Sequence, residues 1–269
     1  MANMSEGSRP SLLERFVPAL VVLTVALAFV VGVLWQKVSS LEKTGVTAGT
    51  QATGTTAKAV TVDIEAVKAL WDKNVVKFGD KDKKVLFVEI ADPSCPYCHV
   101  ANGKNPELAA QIGPQFKYAS EGGEYLPPVT EMRKLVDAGK ASYVFIYQNG
   151  HGNGEMGTKA LYCAQDLGKY WEAHDLLYSN KGYELLNNVV KNDKAKSGEL
   201  ADFLGGAVDS GKIKECLDSG KYDARLAEDQ ALAGGLAVSG TPGFFVNSSR
   251  FDGAYSYSDM KPTVDAALK

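Results

Sequence analysis

The stretch that most constrains this chain is residues 85–98, VLFVEIADPSCPYC. Val85, Leu86, Phe87, Val88 and Ile90 make an apolar, β-prone run that stops at Asp92-Pro93-Ser94 and delivers Cys95-Pro96-Tyr97-Cys98. The HVANGKNPELAAQIG that follows reads as helix, so the two cysteines are expected at a strand-to-helix junction, with Cys95 exposed at or just before the first helical residue. A thiolate is cheap to form there, because the free N–H groups and the positive dipole end of a helix favour an anion. Such a site lowers a cysteine pKa from about 8.5 to roughly 3.5–7.5, and the thiolate is the nucleophile.

Four chemistries compete for this spacing. A zinc half-site needs a second pair of ligands, but Cys163 and Cys216 stand apart and the only histidines are His99, His151 and His174. Cys95-Pro96-Tyr97-Cys98-His99 matches the haem-attachment string, yet it follows an apolar strand rather than sitting in a helical wrap. A purely structural disulfide across two residues closes little chain. A redox pair, needing no metal or diffusible cofactor beyond its own Cys95–Cys98 disulfide, is the reading adopted.

The rest of the chain supplies the setting. A net charge of -3 carries no nucleic-acid signal. Residues 1–15 form a polar tail with Arg9 and Arg15, expected in the cytoplasm. Residues 16–35, FVPALVVLTVALAFVVGVLW, carry no charge, and at ~1.5 Å per residue they span a bilayer core of roughly 30 Å. Ala26-Leu27-Ala28 resembles a signal-cleavage site, but the apolar run continues past it, which favours an uncleaved signal-anchor. Residues 36–59 are rich in Thr, Gly and Ala and read as a flexible linker.

The globular part is expected over 60–269. Residues 63–77 have helical spacing with Asp63 as N-cap, and 113–130 read as an irregular excursion. SYVFIY at 142–147 is a strand, 150–157 a glycine-rich loop around His151, and 156–179 one long helix. Further helices occupy 183–236, and two short strands and a closing helix end the chain. This order, with a Cys-x-x-Cys, is that of an α/β thioredoxin-like fold carrying an inserted helical domain over about 150–236, preceded by one N-terminal transmembrane helix.

Four segments in order make the resemblance specific: Cys95-Pro96-Tyr97-Cys98, ALYCAQDLGKYWEAHDLLY (160–178), ECLDSGKYD (215–223) and VSGTPGFFVN (238–247). Over residues 60–269 the chain resembles the membrane-anchored DsbA-family thiol-disulfide oxidoreductases of bacteria. The resemblance implies that Pro242 is cis beside the redox pair, with Thr241 offering its backbone to a substrate strand next to Pro96-Tyr97. It implies an acid under the site, Glu89, able to take the proton of Cys98, whereas Asp92, nearer the loop, is expected to be solvated. It also implies a second, structural disulfide between Cys163 and Cys216, and closing about fifty residues would stabilise by roughly 3–4 kcal/mol. Catalysis is assigned to Cys95, Cys98, Glu89 and Pro242.

The implied activity is the introduction or exchange of disulfides in reduced secreted or envelope proteins outside the cytoplasm, at the periplasm or cell exterior. A DsbB-like or VKOR-like membrane protein would reoxidise the pair. The Pro-Tyr dipeptide and Thr241 also occur in reductases and isomerases, so a tethered reductase or isomerase is the alternative. A non-catalytic chaperone-like binding module is the remaining one.

Overall fold

The computed structural model describes residues 60–238 and 240–269. The expected tail (1–15), membrane anchor (16–35) and linker (36–59) lie outside the described residues. Among the described residues, no helix is long and apolar enough to cross a membrane.

β1 (Val60–Thr61) leads into α1 (Ile64–Lys68). Asp63 caps that helix, its carboxylate accepting from the Glu65 N–H at 3.0 Å. The helix expected over 63–77 stops early: a 3₁₀ turn, Ala69–Asp72, follows, and Val76–Phe78 forms a strand, β2. β-branched Val75 and Val76 favour the sheet, where Val76 is buried opposite Phe145.

β3 (Val85–Ala91) is buried throughout. The crossover that follows holds α2 (Pro96–Asn102), α3 (Pro106–Ile112) and α4 (Pro128–Asp137), and it ends in β4 (Ala141–Tyr147). Residues 113–127 are two 3₁₀ turns and a bridge between Tyr118 and Tyr125, with Phe116 edge-on to Tyr125.

Next come α5 (Glu155–Asp166), α6 (Tyr170–Leu177) and α7 (Asn180–Glu184), the last running into a π-helical segment, Leu185–Val190. α8 (Ser197–Leu204), α9 (Ser210–Ser219) and α10 (Asp223–Gly235) complete the insert. The single helix expected over 156–179 is two. Gly168 takes φ +68, a left-handed conformation glycine adopts at little cost, and the Lys169 N–H closes back on the Ala164 carbonyl at 2.8 Å. The chain ends with β5 (Gly243–Val246), β6 (Ser249–Asp252) and α11 (Tyr257–Leu268).

The strands lie in the order β1-β6-β5-β3-β4-β2. β3 and β4 are parallel, as their long crossover permits, and the other pairs are antiparallel. The period of two splits β3 between faces. Val85, Phe87 and Ala91 pack with the helical insert and α2, while Leu86, Val88 and Ile90 pack with α1 and α10. Glu89 shares the parity of Phe87, so a carboxyl side chain is set among the apolar groups under α2.

Candidate active site

The strand-to-helix turn after β3 is held by a carboxylate. Asp92 is buried, and its Oδ1 accepts from the Ser94 N–H and hydroxyl at 2.8 and 2.7 Å. Its Oδ2 accepts from the N–H groups of Gly150 and His151, both at 2.9 Å. The expectation of a solvated Asp92 is therefore corrected: four donors replace water and tie the turn to the glycine-rich loop. Two glycines of that loop have no room for a side chain. A Cβ on Gly150 would overlap Thr241 Oγ1, and one on Gly154 would overlap Asp92 Oδ1.

Cys95 is the N-cap of α2, extended at φ -79 and ψ 124, with Pro96 at the first helical position. Both cysteines are thiols. Cys95 was expected to be exposed, but only 4% of it is accessible. The segment bearing Thr241 lies over it, and the Cys95 thiol donates to the Thr241 carbonyl at 3.5 Å. The peptide bond between Thr241 and Pro242 is cis. Cys98, one turn into the helix, is fully buried. Tyr97, by contrast, is 45% exposed, its ring edge-on to Phe116.

The two thiols differ electrostatically. A hydrogen bond from Cys98 is the largest influence on Cys95. With a hydrogen bond from the Thr241 side chain and the backbone N–H groups of Tyr97 and Cys98 it outweighs burial and lowers the Cys95 pKa to about 7. Burial, reinforced by the neighbouring Cys95, pushes Cys98 well above the ordinary thiol value. One sulfur is thus a nucleophile near neutrality, and the other keeps its proton.

Glu89 lies beneath them, fully buried. Burial pushes its carboxyl up to about 7, against hydrogen bonds from Tyr143 and Asn102. The Tyr143 hydroxyl donates to Oε2. The Asn102 amide donates to Oε1 at 3.0 Å and also to the Cys98 carbonyl at 2.9 Å, so Asn102 links the acid to the backbone of Cys98.

His99 braces the same helix. Its ring nitrogens lie 2.8 Å from the Pro93 carbonyl and 2.9 Å from the Tyr178 carbonyl, and its ring packs against Tyr178 and Tyr183. Burial lowers its pKa to about 4. Asn187, from the insert, donates to the Ser94 carbonyl at 3.1 Å. Cys163 and Cys216 form a disulfide joining α5 to α9, with Cα atoms 6.0 Å apart. Among the described residues, no group of three His, Cys, Asp or Glu side chains is placed to hold a metal ion.

Cys95, Cys98, Pro96, Thr241, Pro242 and Glu89 are thus gathered at one end of β3, while Cys163 and Cys216 belong to the insert. Sequence reasoning missed Asn102, Tyr143 and Asn187. Asn102 had one usable signal: it lies four residues after Cys98, on the same face of the helix.

A mixed sheet with a helical insert, and a Cys-x-x-Cys at the end of its central strand facing a cis-proline loop, define a thioredoxin-fold protein. The family model described as "Thioredoxin" matches residues 129–266, just over half of the chain, and the chain belongs to that family. It is 27% identical over 221 residues to a Rickettsia felis protein called "Putative protein-disulfide oxidoreductase", covering 77% of this chain and 66% of that one. It is 30% identical over 197 residues to "Na(+)/H(+) antiporter NhaA 1" of Salinispora arenicola, covering 71% of this chain. The chain spans 24% of the antiporter's length. Among solved structures, BdbD of Bacillus subtilis in its oxidised form superposes with a TM-score of 0.52 at 19% identity, covering 78% of this chain and 97% of that one. Alpha-DsbA1 of Wolbachia pipientis gives 0.54 at 17% identity, covering 72% and 91%. At these identities the two structures establish the fold.

Proposed function

We propose that the protein is a DsbA-type thiol-disulfide oxidoreductase acting outside the cytoplasm on reduced or misbridged polypeptides, with 16–35 as its membrane anchor. The observation that carries this reading is the asymmetry of the cysteine pair. Cys95 caps a helix with its pKa brought to about 7 and touches the Thr241 carbonyl, while Cys98 is buried and holds its proton. The name of the Rickettsia felis relative supports the same chemistry.

In the oxidised protein a substrate thiolate attacks the Cys95 sulfur. The Cys95–Cys98 bond breaks, and Cys98 leaves and takes up a proton, for which Glu89, linked to the Cys98 backbone through Asn102, is the candidate donor. A second substrate thiolate attacks its partner's sulfur in the mixed disulfide and releases Cys95 as a thiolate. In the other direction Cys98 resolves the mixed disulfide and gives up its proton. Tyr97 and the Thr241 backbone flank the substrate's path. Reoxidation falls to a DsbB-like or VKOR-like membrane protein.

A second reading, a tethered reductase or isomerase, is favoured by the same pKa. Strongly oxidising members of this chemistry hold their nucleophile near about 3.5, whereas thioredoxin holds its own near about 7. Equilibration with glutathione separates the two. A potential near about -120 mV supports a disulfide donor, and one near about -270 mV a reductase. If Cys95→Ser retains exchange activity, the whole reading fails.

A further inference from the structure

The residue before the nucleophile is bonded at every polar atom. Ser94 is fully buried. Its N–H and its hydroxyl both donate to Asp92 Oδ1, and the hydroxyl accepts from the Asn153 N–H at 3.2 Å. Its carbonyl lies just outside α2, whose first bonds, from the N–H groups of Cys98 and His99, go to the Cys95 carbonyl. The Ser94 carbonyl therefore needs a donor from elsewhere, and the insert supplies it through Asn187 Nδ2 at 3.1 Å. The other end of the same peptide unit is held as well, because the Cys95 N–H donates to the Asp92 carbonyl at 2.9 Å. A peptide unit is planar, so bonds at its carbonyl and at its N–H together fix its tilt. That plane sets the start of Cys95, extended at φ -79 and ψ 124, from which the thiol reaches the Thr241 carbonyl.

The insert is irregular where it delivers this amide. Leu185–Val190 is π-helical, and the Lys191 N–H reaches back five residues to the Leu186 carbonyl at 3.0 Å. Lys191 and Asn192 then take φ 44 and φ 62, a left-handed conformation uncommon outside glycine. π turns and residues held in sparsely populated conformations recur at functional sites. Among side chains this short, an amide alone serves position 187. Its Nδ2 donates to the Ser94 and Tyr183 carbonyls, both at 3.1 Å, and its Oδ1 accepts from Asn153 Nδ2 at 3.1 Å. A carboxylate has no hydrogen to give, and a hydroxyl donates only once. Asn192 grips the glycine-rich loop in the same way, donating to the Gly152 carbonyl at 2.8 Å and accepting from the Met156 N–H at 3.2 Å.

We propose that Asn187 is a positioning residue for the nucleophile: through the Ser94 carbonyl, the π-helical segment of the insert fixes the Ser94–Cys95 peptide and so aims Cys95 Sγ. The proposal rests on the oxidoreductase reading and gives the insert a part in it. The hydrogen bonds of Asn187 go to Ser94, Tyr183 and Asn153 and to neither sulfur, so it acts through the backbone. Exchange at Cys95 needs its sulfur aligned with the incoming thiolate, and alignment is worth a large part of such a barrier. The Cys95 thiolate also needs its sulfur within reach of the N–H groups of Tyr97 and Cys98. Both conditions depend on where the Ser94–Cys95 plane points the Cys95 side chain. Both are lost together if that plane swings.

The test uses the full-length reduced protein and two readouts. One is the pH midpoint of Cys95 alkylation by iodoacetamide. The other is the rate of exchange at pH 7 with oxidised glutathione and with a disulfide-bonded peptide. Asn187→Leu keeps the side-chain size and removes all three bonds. Asn153→Ala removes the bond that orients the Asn187 amide and keeps the Asn153 N–H on Ser94. Asn188→Leu, at the exposed neighbour whose amide bonds Glu184, is the control and should match the wild type. In Asn187→Leu the midpoint should rise from about 7 toward the ordinary thiol value. Exchange should slow about tenfold or more with both disulfides alike. Asn153→Ala should move both readouts the same way by less, and the double variant should be no worse than Asn187→Leu, because the two share one network. Wild-type midpoint and rates in folded Asn187→Leu overturn the proposal. Should that variant fail to fold, wild-type values in Asn153→Ala overturn it instead. A loss confined to the peptide would place Asn187 in substrate binding and overturn it too. Alkylation needs no turnover, so a protein with the shifted midpoint but no exchange activity in any form would sink the function while leaving the positioning role standing.

Discussion

At the scale of single residues, the site rests on two titratable groups moved in opposite directions. Cys95 falls from 9.0 to about 7 with the Cys98 hydrogen bond as its largest cause. Cys98→Ala should therefore raise the Cys95 pKa toward the ordinary thiol range, read as the midpoint of thiolate absorbance or of alkylation rate against pH. An unchanged midpoint would assign the thiolate to the helix start alone. A depressed thiol stabilises the reduced fold above its unfolded pKa, and that contribution fades as pH falls through about 7. Glu89 moves the other way, from 4.5 to about 7, by burial. Its contribution to stability is complete below about 4.5 and is lost as pH rises through 7, because only the unfolded chain ionises it freely. Glu89→Gln should match the wild type near pH ~4 and exceed it by roughly 3 kcal/mol above pH ~8, at 1.36 kcal/mol per pKa unit. Denaturant midpoints at the two pH values check this, and parallel pH profiles would show that Glu89 is already ionised in the fold.

At the scale of elements, much of the site was readable because local rules agree there. An apolar strand, a proline at the first helical turn and two cysteines one turn apart all name the same junction. What escaped was non-local. The burial of Asp92 depends on N–H groups of Gly150 and His151, far along the chain, and nothing in Asp92-Pro93-Ser94 announces them. β2 escaped because Val75 and Val76 continue a helical spacing and become strand only by pairing with β4. The glycine loop read as a plain connection, yet it packs against the segment that covers Cys95. Gly150→Ala places a methyl against Thr241 Oγ1 and should displace that segment. Exchange should slow about tenfold or more, since a misplacement near 1 Å costs up to about 10²-fold, while the melting temperature changes little. Gly206→Ala, where an added methyl meets nothing, serves as the control. Equal rates in the two variants would remove the loop from the site.

At the scale of the whole molecule, the question is whether the helical insert is a passenger on the sheet. Its apolar face is not separate. Phe87, Tyr143 and Phe145 of the sheet belong to one buried cluster with Leu161 of α5, Leu177 of α6, Leu200 of α8 and Leu217 of α9. The sheet's own side chains are thus solvated if the insert leaves, and burying each large one is worth about 1.5–3 kcal/mol. The Cys163–Cys216 bridge lies wholly within the insert, at a sequence separation of 53. In the chain-entropy account it restrains the unfolded state by about 4 kcal/mol. With a shared core, that loss must be felt by the sheet as well as the helices. Cys163→Ala/Cys216→Ala should therefore lower the denaturant midpoint of a single transition, with Trp171 fluorescence and far-ultraviolet circular dichroism moving together and Cys95 becoming fully alkylated in the same transition. Two separated transitions, with Cys95 still protected after Trp171 has become solvated, would show instead that the sheet and its redox pair stand without the insert.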